Sequence, residues 1–260
     1  MLPFRTARSF GVGGTNAHAV DVWTIALDRP AHVMSALEGV LDSSERARAR
    51  RLWEGPLRSR FIVAHAATRH ILAQYLGTSP AAVQFDRLPS GKPCVRGGAL
   101  AYSLSHSGEL AVLAVSCGGR IGVDVEVVKP VSAADSIVAQ VFSPAEARQY
   151  AEFPPSERAA AWFSGWTRKA AFLKASREQF DRPHNSFDVD LSPAATTPRV
   201  DAGPGSSWFL RSFPPASNFT AAVAADFPIE VLNRLDWAGP TDALEVASIR
   251  DNVERLKVPA

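Results

Sequence analysis

Hydrophobic and polar positions alternate along several short stretches of the chain, which is the pattern of a half-buried β-strand. The predicted strands are VDVWTIAL from Val20, AYSLSHS from Ala101, LAVLAVS from Leu110, RIGVDVEVV from Arg120 and, after Arg177, the runs FDVDLS, SSWFLRSF and FTAAVAADF. Pro, Gly, Ser and Asn bound these runs, as expected of turns between strands.

Segments whose apolar residues have helical spacing lie between these predicted strands. Asp42, Ser43 and Ser44 are N-cap candidates for a helix through ERARARRL, and a second helix is predicted over 58–76, ended by Gly77. Ser143 with a glutamate three residues later predicts a capping box, and a longer helix follows over 156–177. The order β-α-α-β-β-β, then α-α-β-β-β, predicts an α+β fold with a weak internal repeat.

The repeat divides the chain into an N-terminal half, 20–117, and a C-terminal half, 118–228, with an appendage over 229–260. Residues 1–19 stand apart, because SFGVGGTNAHA resembles the C-terminal motif of ketosynthases, with His18 at the active-site histidine. A ketosynthase needs a nucleophilic cysteine far upstream, and seventeen residues precede His18 here, so we do not expect this activity. We expect this leader to pack loosely.

Composition narrows the class of protein. With 260 residues, 46% hydrophobic and 21% charged, the chain is neither disordered, collagenous nor a coiled coil. It has no apolar run near the roughly 18 residues of a membrane span and no signal-peptide layout, so we expect a cytoplasmic protein without membrane contact. Cys94 and Cys117 are predicted to be reduced thiols.

Arginine dominates the basic residues, at 23 of 28, and suits phosphate ligands, although codon bias produces the same excess. The formal net charge is only +2, which argues against nucleic acid as a partner.

Two carboxylates share one face of the predicted strand IGVDVEV. The period of two places Asp124 and Glu126 opposite the apolar side chains, roughly 6 to 7 Å apart. Such a pair can bind one Mg²⁺, which completes its octahedron with water and phosphate oxygens. The alternative is a solvated strand face without a ligand.

Polar residues also gather at two other places. Ser105, His106 and Ser107 lie between two apolar strands, where an ordinary hairpin corner is the alternative to a binding site, and no serine-hydrolase elbow is present. On the long helix, Lys169 and Lys174 flank a stripe of Trp162, Trp166, Ala170 and Leu173. These lysines either extend to solvent or reach a phosphate.

Taken in order, five segments resemble the 4′-phosphopantetheinyl transferases of the surfactin-synthetase-activating type. They are GKP at 91–93, LSHS at 104–107, GVDVE at 122–126, FSPAE at 142–146 and WTRKAAFLKA at 166–175, and the resemblance spans about 20–228. It implies a pseudo-dimer of two α+β halves with the active site at their interface, and we expect a monomer.

The resemblance also implies roles for individual residues. Asp124 and Glu126 match Mg²⁺-binding carboxylates, and Lys174 and Glu126 match catalytic positions. The positions that match coenzyme A contacts are Lys92, Ser105 and His106, with Lys169 and Lys174 near the diphosphate, Arg60 at the 3′-phosphate and Arg48 nearby. The implied reaction moves the 4′-phosphopantetheine arm of coenzyme A to a serine of an acyl or peptidyl carrier protein, releasing adenosine 3′,5′-bisphosphate.

One position departs from the family pattern. Ala170 replaces a glutamate that serves as third metal ligand or general base, and Glu178 is about 12 Å away along a helix, too far to substitute. Water and another base, low activity, or coenzyme A binding without turnover each explain this change. Two alternatives to an active transferase follow, a non-catalytic coenzyme A-binding homologue and a carrier-protein interaction module.

Overall fold

The predicted mixture of helices and strands is confirmed. The computed structural model describes residues 18–131, 135–176, 182–197, 200–201 and 208–240. Its helices are α1 (Ala31–Gly39), α2 (Ser43–Arg51), α3 (Pro56–Leu76), α4 (Asp135–Val141), α5 (Pro144–Glu152) and α6 (Arg158–Ser176). Its strands are β1 (Ala19–Ala26), β2 (Phe85–Arg87), β3 (Pro93–Val95), β4 (Ala101–Ser107), β5 (Leu110–Ser116), β6 (Ile121–Val127), β7 (Asp188–Val189), β8 (Val200–Asp201), β9 (Phe209–Phe213), β10 (Phe219–Ala225) and β11 (Val231–Trp237). The fold class is therefore α+β.

Local signals in the sequence set the helix ends. At the start of α2, the Asp42 carboxylate accepts a hydrogen bond from the Glu45 backbone N–H at 2.8 Å, and the Glu45 carboxylate accepts one from the Asp42 N–H at 3.0 Å. Ser143 and Glu146 form the same reciprocal pair before α5, which confirms the predicted capping box. Gly77 ends α3 at a φ of 62°, where a residue without Cβ is favoured.

The chain divides into two compact units. The helical unit comprises 26–84 together with 237–240 of the described residues, and the sheet unit comprises 18–25 and the described parts of 85–236. These boundaries differ from the predicted halves, 20–117 and 118–228, since β1 belongs to the same unit as β2–β10, whereas the helices α1–α3 belong to the other unit. The pseudo-dimer stays a prediction.

The helical unit is built around α3, which packs against α1 and α2. Its interior contains an arginine, because Arg69 is almost fully buried and donates to Glu45 at 2.6 Å and to Asp42 at 2.7 Å. The capping-box acids of α2 thus neutralise a buried cation on α3, and this ion cluster ties the two helices together.

The sheet unit contains two principal sheets, ordered β11-β1-β5-β4 and β6-β10-β9. β6 pairs antiparallel with β10, with Asp124 opposite Ala222. Val123 and Val125 of β6 are buried against apolar residues of β1 and β5, whereas Ala222 and Ala224 of β10 face the apolar side of α6. The second sheet is therefore covered on both faces, by the first sheet and by α6.

Gly122 allows α6 to lie unusually close to β6. A Cβ at this position would lie 2.2 Å from the Ala171 carbonyl oxygen and 2.5 Å from the Ala175 nitrogen. Only glycine fits such an approach. The absence of a side chain at 122 therefore brings the last turns of α6 next to the strand that bears the two carboxylates.

Some elements were not predicted. The helices α1 and α4 and the short strands β2, β3 and β8 were missed, and the predicted appendage 229–260 contains β11, which pairs with β1. Most of the predicted leader, 1–17, and residues 241–260 lie outside the described residues.

Cys94 and Cys117 are free thiols, as predicted. None of the described helices is long and apolar enough to cross a membrane.

Candidate active site

The two carboxylates of β6 are each paired with a serine of β4. The Ser105 hydroxyl donates to Asp124 Oδ1 at 2.7 Å, and the Ser107 hydroxyl donates to Glu126 Oε2 at 2.7 Å. Both pairs have the same sequence offset, nineteen, so the two strands run in the same direction at this point. Side chains alternate between the two faces of each strand, so Ser105 and Ser107 share one face of β4, just as the two carboxylates share one face of β6.

Lys174 joins this cluster from α6. Its Nζ donates to Asp124 Oδ1 at 2.6 Å, to Ser105 Oγ at 2.9 Å and to the Val123 carbonyl oxygen at 3.1 Å. The ammonium is partly accessible, with 19% of the side chain exposed. Trp166, Ala170 and Lys174, spaced four residues apart, are partly exposed, while nearly all other residues of the second half of α6 are buried. These three positions form one accessible stripe that ends at the carboxylates.

Burial makes the carboxylates unequal. Asp124 is only 5% exposed, because α6 covers it, so the alternative of a solvated strand face does not apply to this residue. Glu126 is half-buried, and burial raises its pKa, with a smaller contribution from the Asp124 charge. The Ser107 hydrogen bond and the charges of Lys129 and Lys174 act in the opposite direction. Glu126 is therefore protonated more readily than an ordinary glutamate.

The donor set fits a magnesium ion with two protein ligands. Within the described residues, Asp124 Oδ2 is buried and has no hydrogen-bond partner, an arrangement that costs free energy unless a cation or donor occupies it. No group of three or more His, Cys, Asp or Glu side chains in the described ranges could hold a metal. Ala170 adds no ligand. Water and phosphate oxygens would have to complete the octahedron.

Lys169 does not join this cluster. Its side chain is fully buried, and Nζ lies 2.7 Å from Glu146 Oε2 and donates to the carbonyl oxygens of His184 at 2.7 Å and Phe187 at 2.6 Å. Burial lowers the pKa of Lys169 and raises that of Glu146, and the attraction between them opposes both shifts. The structure thus places the Lys169 ammonium in the interior, beside Glu146, and the predicted contact of Lys169 with the diphosphate stays a prediction.

Lys92 also binds the protein's own backbone. Its Nζ donates to the carbonyl oxygens of Ile121 at 2.6 Å and Lys174 at 2.8 Å. It thereby connects the loop before β3 to the first residue of β6 and to the last turn of α6. These two hydrogen bonds give Lys92 a structural role, and its predicted contact with coenzyme A stays a prediction.

The remaining predicted residues are His106, Arg48 and Arg60, which have different surroundings. His106 is exposed on β4 between the two serines. Arg48 and Arg60 belong to the helical unit. The Arg60 guanidinium forms two hydrogen bonds with Asp28, at 2.8 and 2.9 Å, which hold the pKa of Asp28 below its ordinary value. Arg48 lies over the ring of Phe61, 5.3 Å from its centroid.

The sequence analysis gave no role to two residues near the site. Ser107 had a detectable signal, since the alternation in LSHS places it on the face of Ser105 with the spacing of Asp124 and Glu126. His184 had none. Its imidazole stacks on Trp166 of the accessible stripe, with ring centroids 5.2 Å apart. Burial lowers the pKa of His184, the Lys169 charge lowers it further, and Asp124 raises it.

Comparison with known proteins identifies the family of this chain. A model of the 4′-phosphopantetheinyl transferase superfamily matches residues 120–224, which include β6 and α6. The chain is 33% identical over 209 residues to the 4′-phosphopantetheinyl transferase HetI of Nostoc sp. strain PCC 7120, covering 79% of this chain and 86% of the relative. It is 24% identical over 216 residues to the 4′-phosphopantetheinyl transferase ffp of Bacillus subtilis, covering 81% of this chain and 95% of the relative.

A further relative, the 4′-phosphopantetheinyl transferase psf-1 of Bacillus pumilus, is 31% identical over 135 residues, or 51% of this chain and 56% of the relative. Because the likeness to HetI extends over most of both sequences, the chain belongs to the 4′-phosphopantetheinyl transferase superfamily. The resemblance inferred from the five sequence segments is thereby confirmed.

Proposed function

We propose that this protein transfers the 4′-phosphopantetheine arm of coenzyme A to a serine hydroxyl of an acyl or peptidyl carrier protein. The observation that supports this most directly is the cluster of Asp124, Lys174 and Ser105, in which an ammonium and a buried carboxylate oxygen without a hydrogen-bond partner meet at the end of an accessible stripe. A cation and a metal-binding oxygen are the groups that a diphosphate requires.

In the proposed reaction, the carrier serine oxygen forms a bond to the phosphorus of the arm, and the bond from that phosphorus to the bridging diphosphate oxygen breaks. The serine proton is released to solvent water, the electron pair of the broken bond stays on the bridging oxygen, and adenosine 3′,5′-bisphosphate leaves with that oxygen. Lys174 stabilises the negative charge on the leaving phosphate, and it has a proton to donate. Asp124 and Glu126 would hold Mg²⁺, which when bound neutralises charge on the diphosphate oxygens.

The binding of coenzyme A is assigned to fewer residues than the sequence implied. Lys174 and Ser105 are proposed at the diphosphate, and His106, Arg60 and Arg48 at or near the 3′-phosphate. Lys92 and Lys169 are left out, because their ammonium groups bind backbone carbonyls or Glu146. Arg60 would exchange Asp28 for the phosphate, which its planar guanidinium can also bind through two parallel hydrogen bonds.

One observation favours a second candidate function. Ala170 lies on the accessible stripe one turn before Lys174, and its methyl group can neither bind metal nor accept a proton. A homologue that binds coenzyme A without transferring the arm would retain Lys174 and lose the acid at 170. The two candidates differ only in turnover, so one measurement separates them.

The deciding experiment incubates the protein with coenzyme A, Mg²⁺ and a purified apo acyl carrier protein or apo peptidyl carrier domain. Mass spectrometry of the carrier should show the added arm, and a Lys174→Ala variant should not produce it. Binding of coenzyme A without loading would identify the non-catalytic homologue. Binding of the carrier without any affinity for coenzyme A would instead indicate an interaction module.

A further inference from the structure

Serine side chains join β4 to β6 along their shared edge. The Ser103 Oγ accepts a hydrogen bond from the Val123 N–H at 3.1 Å, and the Ser107 Oγ accepts one from the Val127 N–H at 3.2 Å. The two strands belong to different sheets, so these hydroxyl groups satisfy backbone donors that a neighbouring strand would otherwise satisfy.

Ser107 differs from Ser103 in what its own hydrogen does. A hydroxyl has one hydrogen to donate, and that of Ser107 goes to Glu126 Oε2 at 2.7 Å. The N–H of Val127, the residue after Glu126, donates to the same Ser107 oxygen. Because this bond occupies the accepting side of the hydroxyl, the hydroxyl hydrogen is directed toward Glu126. In the part of the chain that the structure describes, Ser107 is the one hydrogen-bond donor to this carboxylate.

Asp124 does not depend on a single donor. Ser105 and Lys174 both hold its Oδ1, which leaves Oδ2 as the available oxygen. Glu126 has a longer side chain with one more rotatable bond, and among the described residues its hydrogen-bond donor is Ser107. Within that part of the chain, Ser107 is therefore the group that holds one oxygen of the second carboxylate and leaves the other available.

We propose that Ser107 is a positioning residue that holds Glu126 Oε2 and thereby presents Oε1 as the second protein ligand to the divalent cation. This inference rests on the metal site of the proposed function. Partners that orient a metal ligand typically change metal affinity by about 10- to 100-fold when they are removed.

The test measures binding of Mn²⁺ alone, since carboxylate oxygens suit Mn²⁺ as they suit Mg²⁺ and the free ion has a strong electron paramagnetic resonance signal. Ser107→Ala should weaken Mn²⁺ binding about 10-fold or more. Ser103→Ala is the matched control, because it removes an acceptor for a β6 N–H from the same strand without touching a carboxylate. It should lower the melting temperature comparably and leave Mn²⁺ affinity at the wild-type value. Equal affinities of the two variants would overturn the proposal.

A second pair of variants separates the hydroxyl from the shape of the side chain. Threonine and valine have the same outline, and only threonine has the hydroxyl. Ser107→Thr should bind Mn²⁺ like the wild type, and Ser107→Val should bind it as weakly as Ser107→Ala. This comparison holds even where Ser107→Ala folds poorly, and identical weakening by threonine and valine would also overturn the proposal.

The failure of this inference is distinguishable from failure of the proposed metal site. Asp124→Asn removes the carboxylate that does not touch Ser107, so it should abolish Mn²⁺ binding if the site is real. Unchanged binding in Asp124→Asn, or none in the wild type, would overturn the metal site and the positioning role with it. Loss of binding in Asp124→Asn with no effect of Ser107→Val would overturn the positioning role only.

Discussion

At the scale of single residues, Asp124 and Val125 are neighbours on β6 with opposite surroundings. Asp124 bonds with Ser105 and Lys174, whereas Val125 is fully buried in the apolar layer between the two sheets. Because side chains alternate along the strand, Asp124 belongs to the candidate site and the adjacent Val125 belongs to the hydrophobic core.

Two substitutions should separate these roles. Asp124→Asn should abolish transfer to the carrier protein, because the amide cannot replace the charge that Lys174 and the cation meet. Val125→Ala should lower the free energy of unfolding by about 2 kcal/mol, since it removes buried methyl groups, and should keep Mn²⁺ affinity. Urea unfolding and a carrier-loading assay check the pair, and full loading activity in Asp124→Asn would contradict the role assigned to it.

Ala170 allows a gain-of-function prediction. Its position on the accessible stripe, one helical turn from Lys174, means that Ala170→Glu should place a carboxylate beside the Asp124 cluster. Metal affinity should rise, and loading should accelerate by up to about 10²- to 10⁴-fold where the new group accepts the serine proton.

The matched control for this change is Ala170→Gln, which has the same shape without the charge and should leave both quantities near the wild-type values. A rise in metal affinity without faster loading would mean that another base already acts. Unchanged metal affinity in Ala170→Glu would show that residue 170 does not face the cation.

At the scale of elements, the contact between β6 and α6 decides where Lys174 lies. Gly122→Ala would place a Cβ 2.9 Å from the Lys174 Cβ and closer still to the α6 backbone, so the helix must move outward. We expect a loss of about 1 to 3 kcal/mol in unfolding free energy and weaker Mn²⁺ binding, because Lys174 and Asp124 separate.

Gly39→Ala is the corresponding control in α1. A Cβ there would meet nothing within 4 Å, so this change should leave stability unchanged or raise it by about 0.4 to 1 kcal/mol. Urea unfolding of both variants makes the comparison, and equal stabilities would contradict the close approach of α6 to β6.

At the scale of the whole molecule, stability should depend on the pH through His70 of α3. Burial lowers the pKa of His70 from 6.5 to about 4, and its ring lies 6.0 Å from that of Trp237. Below pH 6.5 the imidazole of His70 is protonated in the unfolded chain, whereas in the folded chain it stays neutral down to about pH 4. The free energy of unfolding therefore decreases as the pH falls from 6.5 to about 4.

His70→Phe should remove this dependence. Compared with the wild type, the variant should gain relative stability on the order of 3 kcal/mol between pH 7 and pH 4, since one pKa unit corresponds to about 1.4 kcal/mol. Chemical unfolding at several pH values measures the difference between the two proteins, and parallel stability curves would contradict the burial of a neutral His70.

Patterns within single elements made much of the fold predictable. The capping residues Asp42 and Ser143 act on backbone groups three positions away, and the alternation of β6 requires only its own residues. β11 was not predicted, because four of its seven residues are exposed and its pairing with β1, distant along the chain, determines its conformation.

For the candidate site, the sequence by itself determined which carboxylates, serines and lysines are available and which family they indicate. Tertiary structure decided how each is used. Lys169 and Lys174 stand five residues apart on one helix, about 140° around its axis, so they face different neighbours. The packing of α6 directs Lys169 to Glu146 in the interior and Lys174 to Asp124 at the accessible edge. Charge and residue type are local properties, whereas the partner of a charge depends on which elements meet, and distant segments of the chain determine that.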